Sequence, residues 1–139
     1  MTNPNPQWTD AERAHVVLRL TLGLNIALHG LVRVGHPLDF ADALVAGFAQ
    51  TPLPAVLVRA FAAGLPFVET AIGVGILLGW RFRAVSALGG VVLALLTAGA
   101  CLKQDWEIAG LQLIYALVYF ALTLRAGDLR LALDTREAR

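Results

Sequence analysis

Charged side chains are scarce in this sequence: 15% of its 139 residues, against 58% apolar ones. Soluble domains carry about a quarter charged and about half apolar residues, so the composition calls for a surrounding medium other than water. The formal charge is only +1, which denies the chain the basic field that nucleic acid requires. A single cysteine, Cys101, excludes an internal disulfide, a CxxC redox pair and a multi-cysteine metal site. It reads as a small apolar packing residue. The one methionine is Met1, and His15, His29 and His36 all fall on or just after the first apolar segment. A bis-histidine haem needs ligands on facing helices and zinc needs a ligand cluster, so no metal site is expected. Residues 1–13 lack the basic start and short apolar core of a signal peptide, and the first apolar segment is therefore expected to remain as an anchor. No low-complexity stretch divides the chain, which reads as one domain over residues 1–139.

What the sequence does have is long apolar runs. Crossing the hydrocarbon takes about 20 mostly apolar residues at about 1.5 Å each. Four segments qualify, at residues 14–35, 55–79, 82–102 and 106–125. Arg81 and Arg83 mark one tight connection, and Lys103, Gln104 and Asp105 another. Short connections join antiparallel neighbours, so the expected fold is all-α, an integral membrane four-helix bundle running up-down-up-down. Arg13, Arg81, Arg83, Arg125, Arg130, Arg136 and Arg139 fall on one side of that arrangement, and only Arg33, Arg59 and Lys103 on the other. The richer side belongs in the cytoplasm, with both termini, in a bacterial-type inner membrane. In the one long connection, Phe40, Leu44, Val45 and Phe48 share a helical face opposite Asp39 and Asp42. This reads as a short amphipathic helix on the outer membrane surface, ended by Pro52 and Pro54. Gly64, Gly73, Gly75 and Gly79 on the second span, and Ser86, Gly89, Gly90 and Ala94 on the third, are expected to let helices approach closely within the bundle.

Polar residues inside the spans are the candidates for function, because charge in hydrocarbon is costly and turns toward a cavity or partner. Thr21, Asn25, His29 and Arg33 form an i, i+4 ladder flanked by His15 and Arg19, which reads as a lining. Asp105, Gln112, Tyr115, Tyr119 and Thr123 make a second stripe on the fourth span, and Glu69 follows Pro66 on the second. Aligning mid-span Asn25 with residue 67 sets Glu69 about 6 Å in depth from Arg19. Two layers are expected: Arg19, Asn25 and Glu69, with Arg19 and Glu69 as a structural ion pair, and His29, Arg33, Arg59 and Gln112, with Glu107 at its edge. Glu69 and His29 are the candidate catalytic proton carriers. Arg33, Arg59, Asn25, Gln112, Tyr115 and Tyr119 are candidate ligand-binding residues. The competing reading is a buried ion pair that fixes helix register without chemistry.

The segment GLPFVETAIGVGILLGWRFRAVSALGG at 64–90 is similar to the central signature of the DoxX-like membrane proteins. The segment ALHGLVRVGHPLDF at 27–40 resembles that family's first-helix ending, and KQDWEIAGLQLIYALVYFALTLRAGDLRLALD at 103–134 its fourth helix and closing Leu-x-Leu-Asp tail. The resemblance covers residues 14 to 134 and implies a four-helix membrane fold, with the family's basic residue at Arg33, its glutamate at Glu69 and its tail aspartate at Asp134. The family includes the DoxD-like small subunit of thiosulfate:quinone oxidoreductase and MauE, which is associated with redox-enzyme maturation. The resemblance thus implies a membrane subunit that binds a quinone or similar lipophilic molecule between its helices. The sequence shows no redox-cofactor motif, so electrons would come from a redox partner protein or a bound substrate. A non-enzymatic assembly factor and a small-solute carrier, the latter as a homo-oligomer, are the alternatives.

Overall fold

The computed structural model describes residues 7–137, so Met1 and Arg139 lie outside the described residues. The order is α1 (Asp10–Val34), α2 (Pro37–Gly47), α3 (Ala55–Leu78), α4 (Phe82–Leu102), α5 (Trp106–Leu124), a 3-10 turn (Ala126–Asp128) and α6 (Asp134–Glu137), with no strand among the described residues. Helices α1, α3, α4 and α5 are each long and apolar enough to cross a membrane. Local sequence sets their ends. The Thr9 side chain accepts from the Glu12 amide while the Glu12 carboxylate accepts from the Thr9 amide. This capping box starts α1 at Asp10, four residues before its apolar run. Helix α3 ends on Gly79, whose φ of 62° is left-handed, with the Trp80 amide returning to the Gly75 carbonyl.

Helices α1 and α3 form the most extensive pair in the chain. A Cβ on Gly30 would strike the Pro66 carbonyl and Thr70, and one on Gly73 would strike the backbone of Ala27. Glycine is required at both positions because the two backbones touch. Ala27 meets Gly73 and Gly23 meets Leu77, so numbers rise along α1 as they fall along α3. The core continues through Leu22, Ile72, Ile76, Phe82, Leu93, Tyr119 and Leu122. Of the small residues on the second and third spans, Gly73, Gly75, Gly79 and Gly89 pack within the chain, while Gly64 and Gly90 meet nothing.

Helices α4 and α5 bury much less of themselves than α1 and α3. Leu88, Val91 and Leu95 on α4 and Leu113, Ile114 and Leu117 on α5 are exposed. Helix α2 packs on α3. Its Ala41 is fully buried, Phe40, Leu44, Val45 and Phe48 are half-buried, and Asp39 and Asp42 are exposed.

Candidate functional site

Helix α1 carries Arg33 one turn beyond Gly30, and α3 carries Glu69 one turn beyond Pro66. The Arg33 guanidinium donates to Glu69 Oε2 at 3.2 Å. The Glu69 side chain is 10% exposed and that of Arg33 31%, so the carboxylate sits deep and the cation reaches it from the rim. The guanidinium also lies 4.8 Å from the centre of the Phe40 ring, which ties α2 to the pair by a cation–π contact. Pro66 has no N–H, so the Ala62 carbonyl loses its helical donor. The Thr70 hydroxyl donates to the Pro66 carbonyl at 2.7 Å.

The ion pair expected between Arg19 and Glu69 is corrected to Arg33 and Glu69. The physical reason is register. Mid-span alignment places Glu69 opposite residue 23, whereas the contacts of Gly23 and Gly73 place it opposite residue 31. The difference is eight residues, or about 12 Å of helix.

Arg19 has a different task. It is 1% exposed and donates to the Ile76 carbonyl at 2.9 Å and to that of Leu77, both at the end of α3. It also donates to the carbonyls of Arg130 at 3.2 Å and Leu131 at 3.0 Å in the tail. A guanidinium holds several donors in one plane, which suits it to such a cluster of carbonyls. The tail thereby folds across the end of the bundle. Leu133 donates to the Leu78 carbonyl at 2.9 Å, and Ala132 lies on Gly79. The Asp134 carboxylate accepts from the amides of Arg81 and Phe82, both at 2.7 Å, and so caps α4. Glu12 pairs with Arg130 at 2.6 Å. The Thr9 amide and the Arg130 guanidinium hold the Glu12 carboxyl below the usual carboxylate value. Nearby, His15 Nε2 lies 3.2 Å from the Leu122 carbonyl, and its ring meets Phe82 edge-on.

The expected outer layer does not assemble. Thr21, Asn25 and His29 are exposed, so the ladder on α1 faces away from the bundle and His29 does not join a lining. Arg59 pairs with Asp42 of α2 at 2.7 Å, with both side chains about half exposed, and so it meets neither Arg33 nor Gln112. Glu107 is exposed as well. Tyr115 donates to Asn25 Oδ1 at 3.3 Å, which joins α1 to α5.

Gln112 and Tyr119 line different cavities, two of which flank Leu96. A chamber of about 390 Å³, partly open, lies among α2, α3, α4 and α5. Leu57, Val58 and Phe61 of α3, Leu95 and Leu96 of α4, and Ile108 of α5 form its walls, and Phe48 of α2 closes over it. The Phe48 ring rests on Gly99, where an added Cβ would lie 3.1 Å from Cζ. Lys103 Nζ is 5.5 Å from the ring centre and 3.7 Å from Asp105. Gln112 also lines the chamber, and its Oε1 is buried with no hydrogen-bond partner. An amide of this kind has bonding capacity free for a guest. The second cavity, about 30 Å³, is enclosed by Ile26 of α1, Glu69 and Ile72 of α3, Gly89 and Leu93 of α4, and Tyr119 of α5. Leu96 lines both cavities.

The α2–α3–α4–α5 chamber has no counterpart in the two polar layers expected from sequence. Its one signal was the run Ala98, Gly99 and Ala100 beside Lys103, which removes side-chain volume at one level of the bundle. Comparison of the chain with protein-family models, with curated proteins and with solved structures gave no match.

Proposed function

We propose that this chain is a DoxX-like inner-membrane protein that binds a quinone or similar lipophilic molecule in the α2–α3–α4–α5 chamber. The four long helices cross up-down-up-down with both termini in the cytoplasm. The arginine-rich connections support that orientation. Helix α2 lies at the outer surface and covers the chamber mouth.

The observation that carries the reading is the chamber itself. Small-molecule sites run to about 300–1,000 Å³ and combine apolar walls with a few polar groups that fix orientation. This one is 390 Å³, walled by leucines and two phenylalanines, with Gln112, Lys103 and Asp105 as its polar lining. An apolar tail is accommodated by the walls, and the head pairs with the Gln112 amide, a carbonyl accepting from its N–H groups or a hydroxyl donating to Oε1. Glu69 is the candidate proton carrier in this reading, because its cavity shares a lining residue, Leu96, with the chamber. A redox partner in the membrane supplies or accepts the electrons.

A photoreactive short-tailed quinone, added to the protein in nanodiscs, tests the site. Labelling should concentrate on the α3 peptide containing Leu57 and Phe61 and on the α5 peptide containing Gln112, and unlabelled quinone should suppress it. Labelling confined to the exposed faces of α4 and α5, and insensitive to competitor, removes the proposal.

A further inference from the structure

The α1 ladder that turns away from the bundle presents polar groups to hydrocarbon at mid-span. Asn25 is exposed near the centre of the apolar run, and its Oδ1 accepts one bond, from Tyr115. That leaves a second lone pair and both amide hydrogens. Unpaired amide groups are costly in hydrocarbon and find a partner when one is within reach. His29 uses Nδ1 on the Asn25 carbonyl, which leaves Nε2 free beside it.

Spacing adds a second, independent observation. Thr21, Asn25, Leu28 and Val32 recur in steps of four, three and four, the repeat of a two-helix seam. Leu28 is 47% and Val32 73% exposed, and no helix of the same chain covers them. We infer that this face of α1 is the docking surface for α1 of a second copy of the chain. The occupant follows from complementarity. Copies inserted with the same topology share one orientation, so their two-fold axis runs along the membrane normal and each seam residue meets its own counterpart at the same depth. An amide carries donor and acceptor together, so Asn25 pairs reciprocally with Asn25 of the second copy. A single polar residue in such a seam also fixes register.

Cysteine cross-linking in bilayers tests the inference, in a Cys101→Ser background. Leu28→Cys lies on the seam and Leu113→Cys on an exposed face of α5. Oxidation should give a disulfide-linked dimer from Leu28→Cys, persisting on dilution with lipid, and little from Leu113→Cys. Adding Asn25→Leu should lower the yield from Leu28→Cys by about fivefold, whereas Tyr115→Phe, which removes only the bond within the chain, should leave that yield unchanged. Equal cross-linking at the two sites overturns the inference, as does a yield from Leu28→Cys that ignores Asn25. Single-chain mass in nanodiscs at high protein-to-lipid ratio would overturn it too.

Discussion

Arg33 donates to Glu69 at 3.2 Å across the seam between α1 and α3, one turn from the glycine that lets the two backbones touch. The pair joins the C-terminal end of α1, the middle of α3 and, through Phe40, the start of α2. Removing one partner strands a buried charge, whereas removing both does not. Glu69→Leu alone should destabilise by about 2 kcal/mol, a value reduced from that of fully buried pairs because Arg33 is partly exposed. The double variant Arg33→Met/Glu69→Leu should recover much of that loss. Unfolding in detergent, run as a double-mutant cycle, reads the coupling; simple additivity would show that the two residues act independently.

The seam itself was only partly legible in the sequence. Run length and composition reveal helices that suit hydrocarbon. Within a span, lipid is as apolar as the interior and polarity alone does not say which face turns inward. The ladder Thr21, Asn25 and His29 was therefore assigned to the interior, although it faces outward. The better signal lay on the neighbouring stripe of Arg19, Gly23, Ala27 and Gly30, where small residues mark close approach. Register was beyond reach for a related reason. Span midpoints carry an error of several residues, and two of them decide which cation meets Glu69. The start of α1, in contrast, is written in Thr9 and Glu12.

Asp134 closes the tail onto α4. Asp134→Ala removes both acceptors from the amides of Arg81 and Phe82, and should cost about 1 kcal/mol as lost caps do. Limited proteolysis should then cut faster between Leu129 and Leu133, with the long helices intact. An unchanged cleavage rate would show that the tail is held without Asp134, by Arg19, the Leu133–Leu78 bond and the Glu12–Arg130 pair.

The Glu12–Arg130 contact gives the tail an acid limit. Glu12 titrates below its usual value of 4.5 when folded, so its contribution is fully present above that value and fades as pH falls through the lower folded one. Tail protection against an acid-active protease should stay flat from neutral pH to about 5 and weaken below about 4.5. Arg130→Gln should flatten the acid limb. Weakening that begins near neutral pH would place the titrating group elsewhere.

The Phe48 ring at the chamber packs tightly on Gly99, where an added Cβ would lie 3.1 Å from Cζ. Gly99→Val puts methyl groups where the ring lies and should displace α2 at its C-terminal end, with α1 and α3 undisturbed. A solvent-sensitive fluorophore at Ala49→Cys, in the Cys101→Ser background, reports the displacement. An unchanged spectrum would mean that the ring finds another seat.

Equilibrium binding of a short-tailed quinone to the protein in nanodiscs tests the central claim most directly. Wild-type protein should bind saturably. Gln112→Leu should weaken binding about tenfold, the value of one hydrogen bond of about 1.4 kcal/mol, and Leu57→Trp, which fills the chamber, should abolish it. Binding that is absent from the wild type, or indifferent to both substitutions, contradicts the account.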